Sequence, residues 1–221
     1  MRILFHNRTD TTEAAERKSI EHKIDAWWHA FRKKQRDIIQ LFQNQANWDL
    51  HGWMEENLQC ISPHLMYEFG PPVRCDGHRL VITPESEVHL RPLVSLILER
   101  APILPNWEFY PYRLPEDVEQ AELAVKGRTG GSIQDLTVRP SIEEGGRVSL
   151  RYFSPRCRSV EDQQAFSEAF VATETLLGEE ILDKWVGPIE IAPKPKPKRF
   201  LGLFRNESQK EPNLIPLDRL K

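Results

Sequence analysis

Three groups of residues in this 221-residue sequence have types and spacing that could do chemistry. The first is acid–base: His64, Glu68 and His78 flank one predicted pair of strands. A carboxylate and an imidazole meeting at a loop end could serve a small hydrolase or transferase, provided both reach the same substrate atom. Glu179 joins them as a candidate, because it follows Gly178 near a helix end, where free carbonyls favour a cation over a carboxylate. An ion pair with an arginine elsewhere is the ordinary role of such a residue. The second group is aromatic: Trp107, Phe109, Tyr110 and Tyr112 crowd a stretch that closes on Arg113. Pro111 within it predicts an edge strand or a bulge, and an edge could receive a peptide or partner strand. The third group is basic and apolar: Lys194, Lys196, Lys198, Arg199 and Arg205 surround Phe200 and Phe204 with no acidic residue between. At about 1 kcal/mol per basic residue near an anionic leaflet, this group supplies on the order of 5 kcal/mol, enough for reversible membrane contact.

No complete motif of a known chemistry occurs beside these groups. His22 and His29 stand seven apart on one predicted helix, without the four-residue spacing and neighbouring carboxylate of a zinc-binding helix. The stretch Gly127-Arg-Thr-Gly-Gly-Ser132 lacks the Gly-Lys-Ser/Thr ending of a phosphate cradle and precedes a strand, not a helix. A Gly-x-Ser-x-Gly elbow is absent. Cys60, Cys75 and Cys157 cannot all pair and contain no Cys-x-x-Cys, so reduced thiols without a redox role are expected. Neither a metal nor a cofactor is expected.

The formal net charge of −3 conceals an asymmetry. Residues 194–221 hold eight basic and three acidic residues, a net of +5 that leaves −8 on the body. An acidic body is a poor surface for duplex phosphates, so nucleic acid is not favoured as a partner. No apolar run approaches the roughly 20 residues needed to span a bilayer, and the first ten residues hold too short an apolar stretch for a secretory signal. A cytoplasmic location is the expectation.

The elements that must position these groups come in a repeated order. Strand, strand, helix, strand is predicted at 65–70, 79–83, 89–101 and 107–113, and again at 135–143, 147–153, 160–177 and 187–192. Leu65, Tyr67 and Phe69 alternate with polar or exposed positions at the period of a half-buried strand. Glu144-Gly145-Gly146 reads as the turn of a hairpin. Leu90, Leu93, Val94 and Ile97 make one helical face, with Pro92 tolerable in its first turn. Ahead of the repeat, Ile20, Ile24, Trp27, Phe31, Ile38 and Phe42 predict a long helix over 9–44, capped by Thr9 or Thr11. A shorter helix over 48–59 turns Trp48, Trp53, Met54 and Leu58 inward. A connecting helix over 114–126 starts at Pro115, and Ser159 with Asp162 resembles a capping box. The last long helix turns Phe166, Ala169, Phe170 and Leu176 inward, is broken by Gly178 and resumes for about one turn.

These elements predict an α+β fold: two ββαβ-type halves in antiparallel or mixed sheets with helices, behind a long helix and a short second one. The expected divisions are a helical segment at 1–60 packing on the body, the duplicated ββαβ domain at 61–192, and a tail at 193–221. Alternating Pro and Lys favour polyproline II geometry there, so the tail is ordered only if it docks.

The stretches Glu68-Phe-Gly70, Leu80-Val-Ile-Thr83 and Ala101-Pro-Ile-Leu-Pro-Asn-Trp107-Glu-Phe resemble a pattern found in uncharacterised bacterial cytosolic proteins. Leu176-Leu-Gly-Glu179 followed by Val186-Gly-Pro-Ile-Glu190 resembles its companion, so the likeness covers roughly 25–192. It implies an α+β domain of unknown function and transfers no catalytic residue. The leading functional expectation is a non-catalytic cytosolic module that binds another protein through the aromatic edge or the tail. A hydrolase or transferase using Glu68 with His64 or His78 is the rival. Association with an anionic membrane surface through 194–205 is the third.

Overall fold

The computed structural model describes residues 11–74, 76–194 and 214–220. The chain forms two units, Met1–Arg113 and Leu114–Lys221, each an α+β arrangement with its own mixed sheet and its own core.

In the first unit a 3-10 turn, Thr11–Glu13, leads into helix α1 (Ala14–Phe42), followed by the short helix α2 (Leu50–Asn57). The predicted cap is not used. Thr9 lies outside the described residues, Thr11 belongs to the turn, and Glu13 at the N-cap makes no side-chain capping bond. Helix α2 is capped instead by Asp49, whose carboxylate accepts from the Gly52 amide at 2.9 Å. Strands β1 (Met66–Gly70) and β2 (His78–Thr83) pair antiparallel, helix α3 (Arg91–Glu99) crosses over, and strand β3 (Trp107–Tyr110) joins β2 in parallel. The sheet order is β1-β2-β3, so β3 is an edge strand, as Pro111 predicts. It stops one residue before that proline rather than at Arg113.

The period of two sorts this sheet into faces. Tyr67, Phe69, His78, Leu80, Ile82, Trp107 and Phe109 share one face. Against the hydrophobic members of that set pack Ile24, Trp27, Phe31 and Ile38 of α1, Met54 of α2, and Leu93, Val94 and Ile97 of α3. Phe31 is the hub: its ring lies 4.9 Å from Trp107, 5.5 Å from Trp27 and 5.6 Å from Phe109. The Trp28 indole donates to the Ile97 carbonyl at 2.8 Å, tying α1 to α3.

The second unit repeats the order with an extra helix in front. Helix α4 (Val118–Thr129) starts at the Asp117 cap, three residues later than Pro115 predicts, and ends on Gly130 in the left-handed region. Strands β4 (Thr137–Ile142) and β5 (Val148–Ser154) form the predicted hairpin, closed by a Gly146 amide bond to the Glu143 carbonyl with Gly146 at φ 77°. Helix α5 (Gln163–Trp185) crosses to strand β6 (Val186–Pro193), parallel to β5. Its cap is Asp162, which accepts from the Ala165 amide; Ser159 lies outside the helix. Ala165, Ala169 and Ala172 let the helix lie close on Val138, Leu150 and Tyr152. Phe166, expected inward, is exposed. Under the helix the Tyr152 hydroxyl lies 2.6 Å from Thr173 Oγ1. Because the Thr173 hydroxyl donates to the Ala169 carbonyl, Tyr152 is the donor of the pair.

Part of the expected tail belongs to this sheet. Strand β7 (Ile215–Pro216) pairs antiparallel with the start of β4, completing the order β6-β5-β4-β7, and a 3-10 turn follows at Leu217–Arg219. Leu217 is buried in the core, worth about 1.5–3 kcal/mol as an upper bound. Pro140 lies further along β4, beyond the two residues that β7 covers.

Gly178 divides α5 at φ 75° and ψ 158°, a combination essentially confined to glycine. Substituting Gly178→Ala is expected to destabilise the chain by about 1–3 kcal/mol, read as a lower urea midpoint with unchanged m-value.

Candidate functional site

The acid–base residues do not converge. Glu68 faces away from the core, while His78 lies on the core side of the neighbouring strand, so the sheet separates them. His64 is exposed in the turn before β1. The reason is the register: Glu68 is directly opposite Val81, an odd number of residues from His78. His78 packs between Phe42, at 5.3 Å, and Trp107, at 5.4 Å, and this burial lowers its pKa. Glu179 is buried just after the Gly178 break, inside α5 and not in an open site.

Glu68 instead sits among arginines. Arg79 Nη2 and Arg113 Nε each lie 3.3 Å from its carboxylate, and Arg113 Nη2 lies 2.6 Å from Glu85. Arg91 donates to Thr83 Oγ1 and to the Pro111 carbonyl, both at 3.1 Å, with its guanidinium 4.3 Å above the Tyr112 ring. Tyr110 donates to Glu108 at 2.6 Å, and that carboxylate also accepts from the Val73 and Arg74 amides. Burial, then the Glu108 hydrogen bond and charge, raise the Tyr110 pKa. The aromatic stretch is thus engaged on both sides of the sheet. Trp107 and Phe109 fill the core, whereas Tyr110, Tyr112 and Arg113 hold intrachain polar and cation–π contacts.

A third arrangement has one signal in the residue spacing, the four-residue separation of His51 and Glu55 on α2, and none for its third member, Tyr67. His51 on α2 brings Nδ1 to 2.9 Å from the Tyr67 hydroxyl and Nε2 to 3.2 Å from Glu55. The order imitates a nucleophile, base and orienting carboxylate. Burial, with Glu55 and Asp49 nearby, raises the Tyr67 pKa, which keeps the phenol protonated and unsuited to attack. Among the described residues no group of three or more His, Cys, Asp or Glu side chains is placed to hold a metal ion, and no helix is long and apolar enough to cross a membrane. Of the basic–apolar group only Lys194 lies within the described residues, its amide bonded to the Ser154 carbonyl; Lys196, Lys198, Arg199, Phe200, Phe204 and Arg205 lie outside them.

An open concavity in the second unit lies elsewhere. A groove of about 680 Å³ runs between α4, the loop before β4 and the segment after β7. Val118, Leu123, Ile133, Leu136 and Leu217 supply its apolar lining, and Glu119 and Asp218 stand at its rim. Glu122 holds the loop against the helix by accepting from the Ile133 amide at 2.7 Å. Leu123 is more than half exposed there. Its one sequence signal is that it falls between Ala121 and Val125, two positions from each, and so off the inward face of α4.

A scan against protein-family models, a search of curated proteins and a search of solved structures each found no match. The function therefore rests on the geometry.

The His78 environment makes a pH prediction. A histidine whose folded pKa lies below its unfolded value contributes stability that is complete above about pH 6.5 and is lost as pH falls toward the folded value. The urea midpoint is expected to drop between pH 7 and 5, and His78→Phe is expected to flatten that part of the profile.

Proposed function

We propose that the chain is a non-catalytic protein-interaction module whose second unit docks a short segment of a partner protein in the α4 groove. The observation that carries this reading is the apolar-lined groove with Leu123 exposed in it and acidic residues at its rim. Ligand-docking grooves combine apolar walls with a few polar groups that set orientation, and this one has both. Its charge selects the partner: a segment with two or three aliphatic or aromatic anchors flanked by Lys or Arg suits Glu119. The net −8 of the body favours approach of such a segment over an acidic one. We also propose a cytoplasmic location, which the free thiols of Cys60 and Cys157 support.

Selection of a random peptide display library on the full-length chain tests the proposal. Enriched peptides are expected to carry apolar anchors beside basic residues. They are expected to bind Leu123→Asp at least tenfold more weakly, with the circular dichroism of that variant unchanged. Failure to enrich any peptide, or enriched peptides that bind Leu123→Asp as well as the parent, would reject it.

A further inference from the structure

The groove already has a resident along one side. Residues 214–220 leave the rest of the chain, pair with β4 over only two positions, and place Leu217 in the core with Ile215 and Leu220 half-buried beside it. Pro216, Asp218 and Arg219 point to solvent. The segment thus contacts the second unit as a short peptide ligand does, through alternate apolar anchors and a strand edge. Its fit is incomplete: Pro216 lies opposite Thr137 and offers no side-chain polar group, and the buried Thr137 hydroxyl has no hydrogen-bond partner among the described residues.

The topology separates this segment from the strand before it. Strand β6 ends at Pro193, and β7 lies on the opposite edge of a four-stranded sheet. Three strand spacings, about 14 Å, separate the two edges. A chain of 19 residues, the number from 195 to 213, has a maximum reach of about 60 Å, more than the separation requires. Covalent attachment keeps the segment near its site, so a competitor acts against an intramolecular copy.

From this arrangement we infer that the β4 edge and the adjoining face of α4 form one docking site for a Leu-Ile-Pro-Leu-x-x-Leu-type segment, a two-residue strand followed by a 3-10 turn, and that residues 214–220, which supply one wall of the groove, are its tethered, displaceable ligand. The inference rests on the groove being a docking surface and names the class of segment it takes. A partner with the same anchor pattern competes with the chain's own copy, so tethering lowers the apparent affinity for every competitor. A segment with Ser or Thr in place of Pro216 is the better competitor, because its side-chain hydroxyl lies cross-strand from the Thr137 hydroxyl and can pair with it.

The probe is a fluorescein-labelled peptide of residues 212–221, titrated into the full-length chain. Binding to Leu217→Asp is expected to be at least tenfold tighter than to the parent, whose own segment occupies the site. A second arm does not depend on that variant folding. A specific protease site is placed within 195–213, the folded chain is cleaved there, and excess peptide is expected to replace the cleaved segment, as read by native mass spectrometry. Equal binding to the parent and to a folded Leu217→Asp overturns the inference. So does a cleaved segment that millimolar peptide cannot displace, or one that departs without the peptide taking its place. Adding Leu123→Asp separates the two readings. Peptide exchange that survives this substitution keeps the strand-edge site while rejecting the groove, whereas library peptides that bind the parent without displacing 214–220 do the reverse.

Discussion

A strand cannot reach a parallel neighbour through a tight turn, and this constraint shapes both units. Each sheet begins with two antiparallel strands, and the chain must then return to the far side of the second strand. That return requires a crossover, and in each unit the crossover is a helix. The helix covers only one face of its sheet. In the first unit α1 and α2 join α3 on that face, and the other face carries the Glu68, Arg79 and Arg113 contacts. In the second unit α4 lies beside α5, and its outward side, with Leu123, becomes a wall of the groove. The location of the open apolar surface follows from where the crossover leaves off.

The constraint also decides which chemical groups can meet. Neighbouring residues on a strand look in opposite directions, so nearness in sequence is a poor guide to nearness of side chains. Glu68 and His78 illustrate this: one joins a layer of arginines while the other is wedged between rings. Trp107 and Tyr110 belong to the same four-residue strand, yet the first is a core residue and the second a hydrogen-bond donor on the far side. In the groove, by contrast, Leu123 is left more than half exposed, while Ile133, Leu136 and Leu217 behind it are buried.

Much of the architecture was legible from local patterns. The alternation of Leu65, Tyr67 and Phe69, the glycine turn at 144–146 and the break at Gly178 all depend on neighbouring residues alone, and each is found where it was expected. Expectations erred where two local signals competed. Pro115 and Ser159 are both acceptable near a helix start, but Asp117 and Asp162 lie closer to the helices and take the amides. Phe166 fits an inward helical pattern, yet alanines occupy the side of α5 that meets the sheet. The groove and the docking of 214–220 depend on contacts between residues distant in sequence, for which no spacing rule exists.

Pro140 has a consequence for self-association. Proline is tolerated beside a paired strand only where its nitrogen faces away from the neighbour, and β5 runs alongside all of β4. Its ring therefore faces the outer margin, just past the two positions that β7 occupies. A further strand laid along that margin would find a missing donor there and could not continue the ladder. The sheet is thereby protected from open-ended stacking into fibrils, while a short stretch by Thr137 and Val138 remains able to pair.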